Sequence, residues 1–291
     1  MGEYVILTDS CCDLSEEFAR ELGVAYVPMK FTIKDETFEN WLDGRELATG
    51  EFYARLRGGA MSTTSAINPS DWTEAIEPYL NNGQDVLVIA FSSGLSSTHQ
   101  AATMAAEELT ERYPERKVLV VDSLCASSGE GLLVYHAAAR KNAGASIEEV
   151  RDWLESNKLH LAHWFTVEDL HFLKRGGRVS ATTAVVGTVL GIKPVLHVDD
   201  EGHLINVGKT RGRKASLNAL VDHMEKTAVD PAGQTVFISH GDCADEAEYV
   251  AEQVKSRLHA ADVKIFPIGP VIGSHSGPGT MALFFLAENR D

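Results

Sequence analysis

The chain has 291 residues, of which 44% are hydrophobic and 23% are charged, a composition typical of a globular protein with one large or two modest domains. Its 42 acidic residues outnumber its 26 basic residues, and the formal net charge of −16 argues against general nucleic-acid binding, which requires basic faces. The chain contains no apolar run long enough to span a membrane, and its start, MGEYVILTDS, lacks the basic and apolar regions of a signal peptide.

Short β-branched runs alternate with amphipathic stretches in the first half of the chain. The predicted strands are residues 4–8, 85–91 and 117–122. The predicted helices are residues 14–22, 97–112 and 129–141, the first of them capped by Asp13. Strands that alternate with helices indicate βαβ units and a parallel sheet flanked by helices.

The second half is less regular, and the change in pattern near 155–165 marks the best candidate for a domain boundary. The predicted helices are residues 168–174, 181–190, 212–226 and 244–258. The predicted strands are residues 193–198, 204–208, 235–240 and 263–269. The first two of these strands form a predicted β-hairpin with Gly202 in its turn, and the last two flank a helix in a β-α-β unit.

The cysteines and histidines do not indicate a metal site. Cys11, Cys12, Cys125 and Cys243 include no CxxC pair, so we expect reduced thiols in a cytoplasmic protein. The eleven histidines are scattered, and neither a P-loop nor a GxGxxG motif is present. The sequence therefore predicts no metal and no cofactor.

Four segments are rich in small hydroxyl side chains. Three of them, residues 9–13, 92–99 and 122–129, follow predicted strands, whereas residues 62–70 form a predicted loop with no strand of its own. Hydroxyls and backbone N–H groups at helix starts suit a small anion, although the same residues also cap helices and form turns. A serine hydrolase or acyltransferase that uses Ser93 and His275 is an alternative, but no GxSxG motif supports it.

A basic segment covers residues 174–214. Its basic residues are Lys174, Arg175, Arg178, Lys193, Lys209, Arg211, Arg213 and Lys214, opposed only by Asp199, Asp200 and Glu201. This segment is either a solvated face or a surface that meets phosphate or an acidic partner. The backbone of Arg178 follows two glycines, which would allow it to approach another molecule closely.

The stretch IGPVIGSHSGPG at 268–279 contains four glycines, two prolines and a single histidine, and the apolar run TMALFF follows it. We expect a tight turn that presents His275, with TMALFF packed beside a ligand or in the core.

These segments together resemble the DegV family, the fatty-acid-binding subunits of bacterial fatty acid kinase. The matching segments are VILTDSCCDLS at 5–15, TSAINPSDW at 64–72, FSSGLSSTHQAA at 91–102, DSLCASSGEGLLV at 122–134, LKRGGRVS at 173–180, GIKPVL at 191–196, KTRGRKA at 209–215 and IGPVIGSHSGPGTMALFF at 268–285. They span nearly the whole chain in the family's order. LKRGGRVS and GPVIGSHSGPG are the most specific.

The resemblance implies an α/β fold of two domains, 1–160 and 161–291, the first with a parallel sheet flanked by helices and the second with a mixed or antiparallel sheet. It implies a long-chain fatty acid held in an apolar tunnel at the domain junction, with no cofactor and no catalytic residue in this chain. The ligand-binding residues carried over by motif are Thr64, Ser65, Ser93, Gly94, Ser274 and His275.

The resemblance also implies a partner, the ATP-binding subunit of the kinase, which phosphorylates the presented carboxylate to an acyl-phosphate. Arg178, assisted by Lys174 and Arg175, would contact that partner or the phosphate. Transient contact with a membrane surface would serve lipid exchange. The chain departs from the family pattern where TSQPS reads TSAIN, although the hydroxyl pair Thr64 and Ser65 is kept. The basic segment could alternatively serve a regulatory module that binds an acidic partner without lipid.

Overall fold

The computed structural model describes residues 3–179 and 191–290, and its first half is built on a four-stranded parallel sheet, here called the N-terminal sheet. Its strands are β1 (Tyr4–Asp9), β2 (Val24–Val27), β6 (Asp85–Ala90) and β7 (Val118–Asp122), in the spatial order β2-β1-β6-β7. Ile6 pairs with Val24 on one side and with Leu87 on the other, and all three are buried. The predicted parallel sheet is therefore confirmed.

A small antiparallel sheet lies in the same half of the chain. Its strands are β3 (Lys30–Ile33), β4 (Glu36–Glu39) and β5 (Ser62–Ser65), in the order β4-β3-β5. The prediction of a loop without a strand at 62–70 is wrong, because residues 62–65 pair with β3 and place Thr64 opposite Phe31. The sequence STTS has no alternation of apolar and polar residues that would predict a strand, and β5 forms only because it pairs with β3.

The second half of the chain forms a six-stranded mixed sheet, here called the C-terminal sheet. Its strands are β8 (Leu161–Thr166), β9 (Ile192–Val198), β10 (Leu204–Arg211), β11 (Thr235–His240), β12 (Asp262–Pro267) and β13 (Met281–Leu286), in the order β10-β9-β8-β13-β11-β12. β11 and β12 are parallel, and the other pairs are antiparallel. The hairpin of β9 and β10 is confirmed, with Gly202 at φ 79° in its turn.

Ten α-helices lie in the described residues. Those of the first half are α1 (Glu16–Leu22), α2 (Thr49–Arg57), α3 (Pro69–Asn81), α4 (Thr98–Arg112), α5 (Ser128–Asn142) and α6 (Ile147–Asn157). Those of the second half are α7 (His171–Arg175), α8 (Arg213–Thr227), α9 (Ala244–Leu258) and α10 (Pro270–Ser276). The helix predicted at 168–174 is shorter than expected, and the helix predicted at 181–190 lies outside the described residues.

The predicted cap of the first helix is wrong. α1 begins after Ser15, whose Oγ accepts a hydrogen bond from the Phe18 N–H at 3.1 Å. Asp13 instead adopts a left-handed conformation at φ 48°, and its side chain is buried. Aspartate tolerates this conformation better than most residues, so Asp13 can end the preceding 3-10 turn of Ser10–Cys12.

Helix α5 lies between the two large sheets and contacts strands of both. Gly129 faces the C-terminal sheet, and Gly131 faces the 3-10 turn. A Cβ at Gly129 would lie 2.2 Å from Nε2 of His163, and a Cβ at Gly131 would lie 2.6 Å from the carbonyl oxygen of Cys12. The absence of side chains at these positions lets α5 approach its neighbours on opposite sides.

The C-terminal sheet buries both of its faces. On the outer face, Trp164, Leu283 and Phe285 pack in one apolar cluster with helices α8 and α9. On the inner face, Phe165 and Phe284 join the cluster that includes α5. This alternation follows from the two-residue period of a strand. It also explains the TMALFF run, which is the central strand β13 and is buried on both sides.

The prediction of a tight turn at 268–279 is wrong for its first part, because residues 270–276 form helix α10. Pro270 occupies the first turn, where its missing N–H has no cost, and Gly277 at φ 78° ends the helix. Although α10 belongs to the second half of the chain, it packs against α2, β3 and β5 of the first half as well as against α7. Val271 is part of the buried cluster of the first half.

The close contacts of Gly131 in α5 predict that substitution by alanine lowers stability there, whereas the same substitution at an uncrowded helical glycine does not. We expect Gly131→Ala to destabilise the protein by about 1–3 kcal/mol, because its methyl group would press against a backbone carbonyl that cannot move aside freely. The matched control is Gly50→Ala in α2, where a Cβ meets nothing within 4 Å and should stabilise by at most about 1 kcal/mol. Urea unfolding midpoints measure both, and equal effects would contradict the packing argument.

Candidate functional site

A cavity lies where the two halves of the chain meet. About 920 Å³ of space free of atoms, including the part open to solvent, lies between its walls. The first half contributes Met29, Thr64, Ala66, Phe91, Leu95, Ser96, Ser97, Ala126 and Ser127, and the second half contributes His163, Phe165, Leu173, Arg178, Val198, Leu204, Ile268, Val271, Ile272, His275, Ser276, Thr280, Ala282 and Phe284. The lining is mostly apolar with a few polar groups, which is the usual make-up of a small-molecule site.

The apolar wall comes largely from the inner face of the C-terminal sheet. Phe165 of β8 pairs with Ala282 of β13, and both line the cavity. Val198 and Leu204 flank the hairpin turn and extend this wall across β9 and β10. The sheet therefore supplies aromatic and aliphatic side chains but few hydrogen-bonding groups, so this wall suits a hydrocarbon.

The polar part of the cavity contains a hydrogen bond between the two halves of the chain. Oγ1 of Thr64, on β5, lies 2.8 Å from Nε2 of His275, on α10. The neighbouring Ser274 hydroxyl lies 2.7 Å from Oγ of Ser62, also on β5. Two consecutive residues of α10 thus hydrogen-bond to two residues of one short strand, which fixes the position of the imidazole.

The imidazole of His275 is held in its neutral form. Burial, with a smaller contribution from the charge of Arg178, lowers the pKa of His275 to about 4. Nδ1 of the ring is buried without a hydrogen-bond partner among the described residues and faces Gly176, where a Cβ would lie 2.3 Å away. Gly176, from the KRGGR motif, is therefore needed to make room for this ring.

Arg178 lies in the cavity wall, half-buried. Its guanidinium donates to the carbonyl oxygen of Leu95 at 3.1 Å and to that of Gly176. Burial lowers the pKa of Arg178, which nevertheless stays a cation because its ordinary pKa is far above neutrality. The resemblance predicts that Arg178 contacts a partner or a phosphate; its side chain lines the cavity, close enough to influence His275.

The structure brings together only some of the residues expected to bind a ligand. Thr64 and His275 line the cavity, whereas Ser65 and Ser93 are exposed and are not among its lining residues. Gly94 packs against the hairpin turn, where a Cβ would lie 2.6 Å from the Glu201 carbonyl oxygen. Ser274 is buried behind His275.

The hydrolase alternative requires Ser93 close to His275. No hydrogen bond joins these two residues in the described part of the chain, and Nε2 of His275 is occupied by Thr64. The backbone N–H of Ser93 donates to Oδ1 of Asp122 at 3.1 Å, in a loop on the surface. Ser93 and His275 are therefore not arranged as a serine nucleophile and its general base.

Not all of the basic segment is unpaired charge. Lys193 pairs with Glu168, and Arg213 pairs with Glu246 at 2.5 Å, so these two charges are neutralised locally. Lys174 and Arg175 of α7 are exposed. The cationic surface near the cavity is thus smaller than the sequence suggested.

Sequence reasoning missed several residues of the site. Ser96, Ser97 and Ser127 belong to hydroxyl-rich segments that were noted, but nothing in their spacing shows which hydroxyls face the cavity. Of the apolar wall, the sequence indicated only the TMALFF run, whose Ala282 and Phe284 line the cavity; the other side chains come from three further strands. A group of buried carboxyls, Asp9, Asp13 and Glu130, was also missed because acidic residues are normally exposed.

The described ranges contain neither a helix that could span a membrane nor a cluster of metal-ligating side chains. No helix there is long and apolar enough to cross a membrane. No group of three or more histidine, cysteine, aspartate or glutamate side chains in those ranges could hold a metal ion. All four cysteines are free thiols, and three of them are buried.

Comparison with known proteins gives one consistent result. The sequence profile of the uncharacterised DegV protein family matches residues 3–288. A DegV domain-containing protein of Clostridium perfringens is 44% identical over 291 residues, which is 100% of both chains.

Solved structures give the same picture. A DegV family protein from Thermus thermophilus, described by its fatty acid binding, is 30% identical with a TM-score of 0.88, over 98% of this chain and 99% of the other. The B3 protein of the Streptococcus pneumoniae fatty acid kinase, loaded with linoleic acid, has a TM-score of 0.86 over 98% of this chain and 100% of the other. At 22% identity, that second likeness concerns the fold alone.

The low pKa of His275 predicts how the site responds to pH. We expect the imidazole to stay neutral from about pH 8 down to about pH 5, because burial disfavours its charged form. In the unfolded chain the ring takes up a proton near its ordinary pKa of about 6.5, so His275 should cost stability as the pH falls below that value. NMR titration of the imidazole measures the pKa, and a midpoint near 6.5 would contradict the burial argument. His275→Gln should reduce the loss of stability between about pH 6.5 and 4.

Proposed function

The chain belongs to the DegV family, and on that premise we propose that it is a fatty-acid-binding protein that holds a long acyl chain in the cavity between its two halves. The observation that carries the proposal is the combination of a mostly apolar cavity with one hydrogen-bonded pair, Thr64 and His275. The fatty acid binding described for the Thermus thermophilus relative supports the same ligand class.

The apolar wall supplies the affinity in this proposal. Each buried methylene contributes about 0.8 kcal/mol, so a tail of about sixteen carbons contributes on the order of 10 kcal/mol before the costs of ordering are subtracted. The residues that would contact the tail include Phe165, Val198, Leu204 and Phe284. None of them offers a hydrogen-bonding side chain, so the polar end of the ligand must lie elsewhere in the cavity.

Thr64 is the proposed hydrogen-bond donor to the carboxylate, and His275 orients its hydroxyl group. With the proton on Nε2, His275 donates to Oγ1 of Thr64, and the Thr64 hydroxyl is then free to donate to a carboxylate oxygen. Arg178 adds a positive charge in the same cavity without forming an ion pair within the described residues. A carboxylate bound in this way keeps one oxygen free for chemistry, whereas a two-pronged arginine contact would occupy both.

Lipid identification tests the proposal directly. Native mass spectrometry of the purified protein should reveal a bound fatty acid, and the delipidated protein should bind palmitate or oleate. A protein that carries no lipid and binds neither acid would overturn the proposal.

Substitutions test the polar end. Thr64→Val should weaken palmitate binding about 10- to 100-fold, because a hydrogen bond to a charged group contributes about 1.5–3 kcal/mol, and His275→Ala should weaken it similarly because the Thr64 hydroxyl loses the partner that orients it. Ser93→Ala, in an exposed loop outside the cavity, is the matched control and should bind like the wild type. Equal losses in all three variants would show that the polar end has been misplaced.

We further propose that the bound fatty acid is presented to a separate ATP-dependent kinase subunit, which forms an acyl-phosphate. The family resemblance and the fold shared with the Streptococcus pneumoniae kinase B3 protein support this step. Exposed Lys174 and Arg175, on α7 beside α10, are the proposed contacts for that partner or for the phosphate. Arg178 is a less suitable residue for separating these two roles, because its side chain also lines the cavity and its substitution would affect fatty acid binding as well. A cytoplasmic location and transient contact with membranes for lipid exchange are part of the same proposal.

Charge reversal separates binding from presentation. Lys174→Glu and Arg175→Glu should leave palmitate affinity unchanged and lower the rate of acyl-phosphate formation by the partner kinase about tenfold or more. Lys255→Glu on the exposed face of α9 is the matched control for a change of net charge. A kinase rate that is unaffected by the α7 variants would remove α7 from the interface.

A further inference from the structure

Asp13 connects the start of the histidine-bearing helix to the first half of the chain. Oδ1 accepts a hydrogen bond from the backbone N–H of Gly269, the residue just before α10, at 2.9 Å. Oδ2 accepts from the hydroxyl of Ser127, the residue just before α5, at 2.6 Å. One buried carboxyl group therefore holds the starts of two helices, and both Ser127 and residues of α10 line the cavity.

The contact between Asp13 and Gly269 depends on the missing side chain. A Cβ at Gly269 would lie 2.9 Å from Oδ1 of Asp13 and 3.1 Å from Nδ2 of Asn40. The residue before it is also fixed, because the Tyr53 hydroxyl donates to the carbonyl oxygen of Ile268 at 3.0 Å. The start of α10 is thus held by side chains that come from the first half of the chain.

The hydrogen bonds continue into the C-terminal sheet. Oγ of Ser127 lies 2.9 Å from Oγ of Ser239, on β11, and Ser127 itself lines the cavity. Asp13, Ser127 and Ser239 form a chain that crosses the junction of the two halves. His275 lies at the opposite end of α10 from Gly269, so a displaced helix start would move the imidazole relative to Thr64.

We propose that Asp13 is a positioning residue of the ligand site: its carboxyl group fixes helix α10 so that His275 holds the Thr64 hydroxyl that donates to the carboxylate of the fatty acid. This inference rests on the proposed function. Asp13 does not touch the ligand, and it acts through His275.

The surroundings of Asp13 contain no compensating positive charge in the described ion pairs. The titratable groups that influence it or are influenced by it are Asp9, Cys11, Cys12, Glu130 on α5 and Tyr53 on α2. Burial raises the pKa of Asp13 to about 7. The folded state therefore holds this proton more tightly than the unfolded chain, and the stability it contributes is lost as the pH rises from about 4 to about 7. Burial of Asp13 thus costs stability at neutral pH, and a positioning role in the ligand site gives a reason for this cost.

The test compares two ligands that differ only in the head group, palmitate and hexadecanol, in fluorescence-displacement assays. We expect Asp13→Ala to weaken palmitate binding about tenfold and hexadecanol binding less than about twofold, because only the carboxylate depends on the position of His275. Asp13→Asn should bind like the wild type, since its amide oxygen still accepts from Gly269, its NH₂ group can donate to Ser127, and asparagine tolerates the left-handed conformation. Asp9→Asn, in the same buried group but without contact to α10, is the matched control.

A double-mutant cycle identifies the route. If Asp13 acts through His275, Asp13→Ala should cost little further palmitate affinity in a His275→Ala background. Gly269→Ala, which presses on the same hydrogen bond from the other end, should reproduce the selective loss if Asp13→Ala fails to fold.

Additive losses in the cycle, or equal losses for palmitate and hexadecanol in every folded variant, would overturn the positioning role. A wild-type protein that binds neither ligand would instead overturn the proposed function.

Discussion

The docking of helix α10 into the first half of the chain is the contact on which the candidate site depends. The hydrogen bond between Thr64 and His275 joins residues separated by 211 positions, and Ser62 and Ser274 form a second bond beside it. Without this docking, the cavity would have its apolar wall but no fixed polar end. The same contact joins the two halves of the chain, so a change in how the halves associate also changes the geometry of the site.

Helix α5 joins the two halves at the centre of the molecule, because it contacts strands of both large sheets. A helix between two sheets must be apolar on nearly all sides, and the buried residues of α5 extend around it. Its glycines allow close approach to His163 and to the Cys12 carbonyl. Glu130, also on α5, is buried beside Asp9, where burial raises its pKa well above the ordinary value. The first turn of α5 thus combines close packing with polar groups that have no cationic partner among the described ion pairs.

The balance of charge in the cavity follows from burial. His275 is neutral because an imidazolium would be poorly solvated there and would lie near Arg178. Arg178 keeps its charge and is the cation of the cavity wall, while its guanidinium is held by two carbonyl oxygens. A ligand carboxylate would therefore meet the neutral hydroxyl donor of Thr64, held by His275, within the field of one arginine. This arrangement agrees with the proposed presentation of a carboxylate that must still react.

The sequence by itself determined many of the regular elements, because unbroken β-branched runs and period-3.6 patterns reflect local burial. Three of the four strands of the parallel sheet, the hairpin at Gly202 and helices α8 and α9 follow from such patterns, whereas the edge strand β2 is not among the predicted strands. Family-specific motifs also gave Thr64 and His275 as candidates. Only the tertiary structure decided which hydroxyls reach the cavity, since Ser65 and Ser93 have the same local chemistry as Thr64 and Ser96 but face solvent or lie outside it.

The same reason explains β5, α10 and Asp13. Strand β5 is defined by its pairing with β3, α10 by the surface that receives it, and Asp13 by a backbone N–H 256 residues away. Local sequence cannot encode such partners, because they exist only once the two halves of the chain have come together.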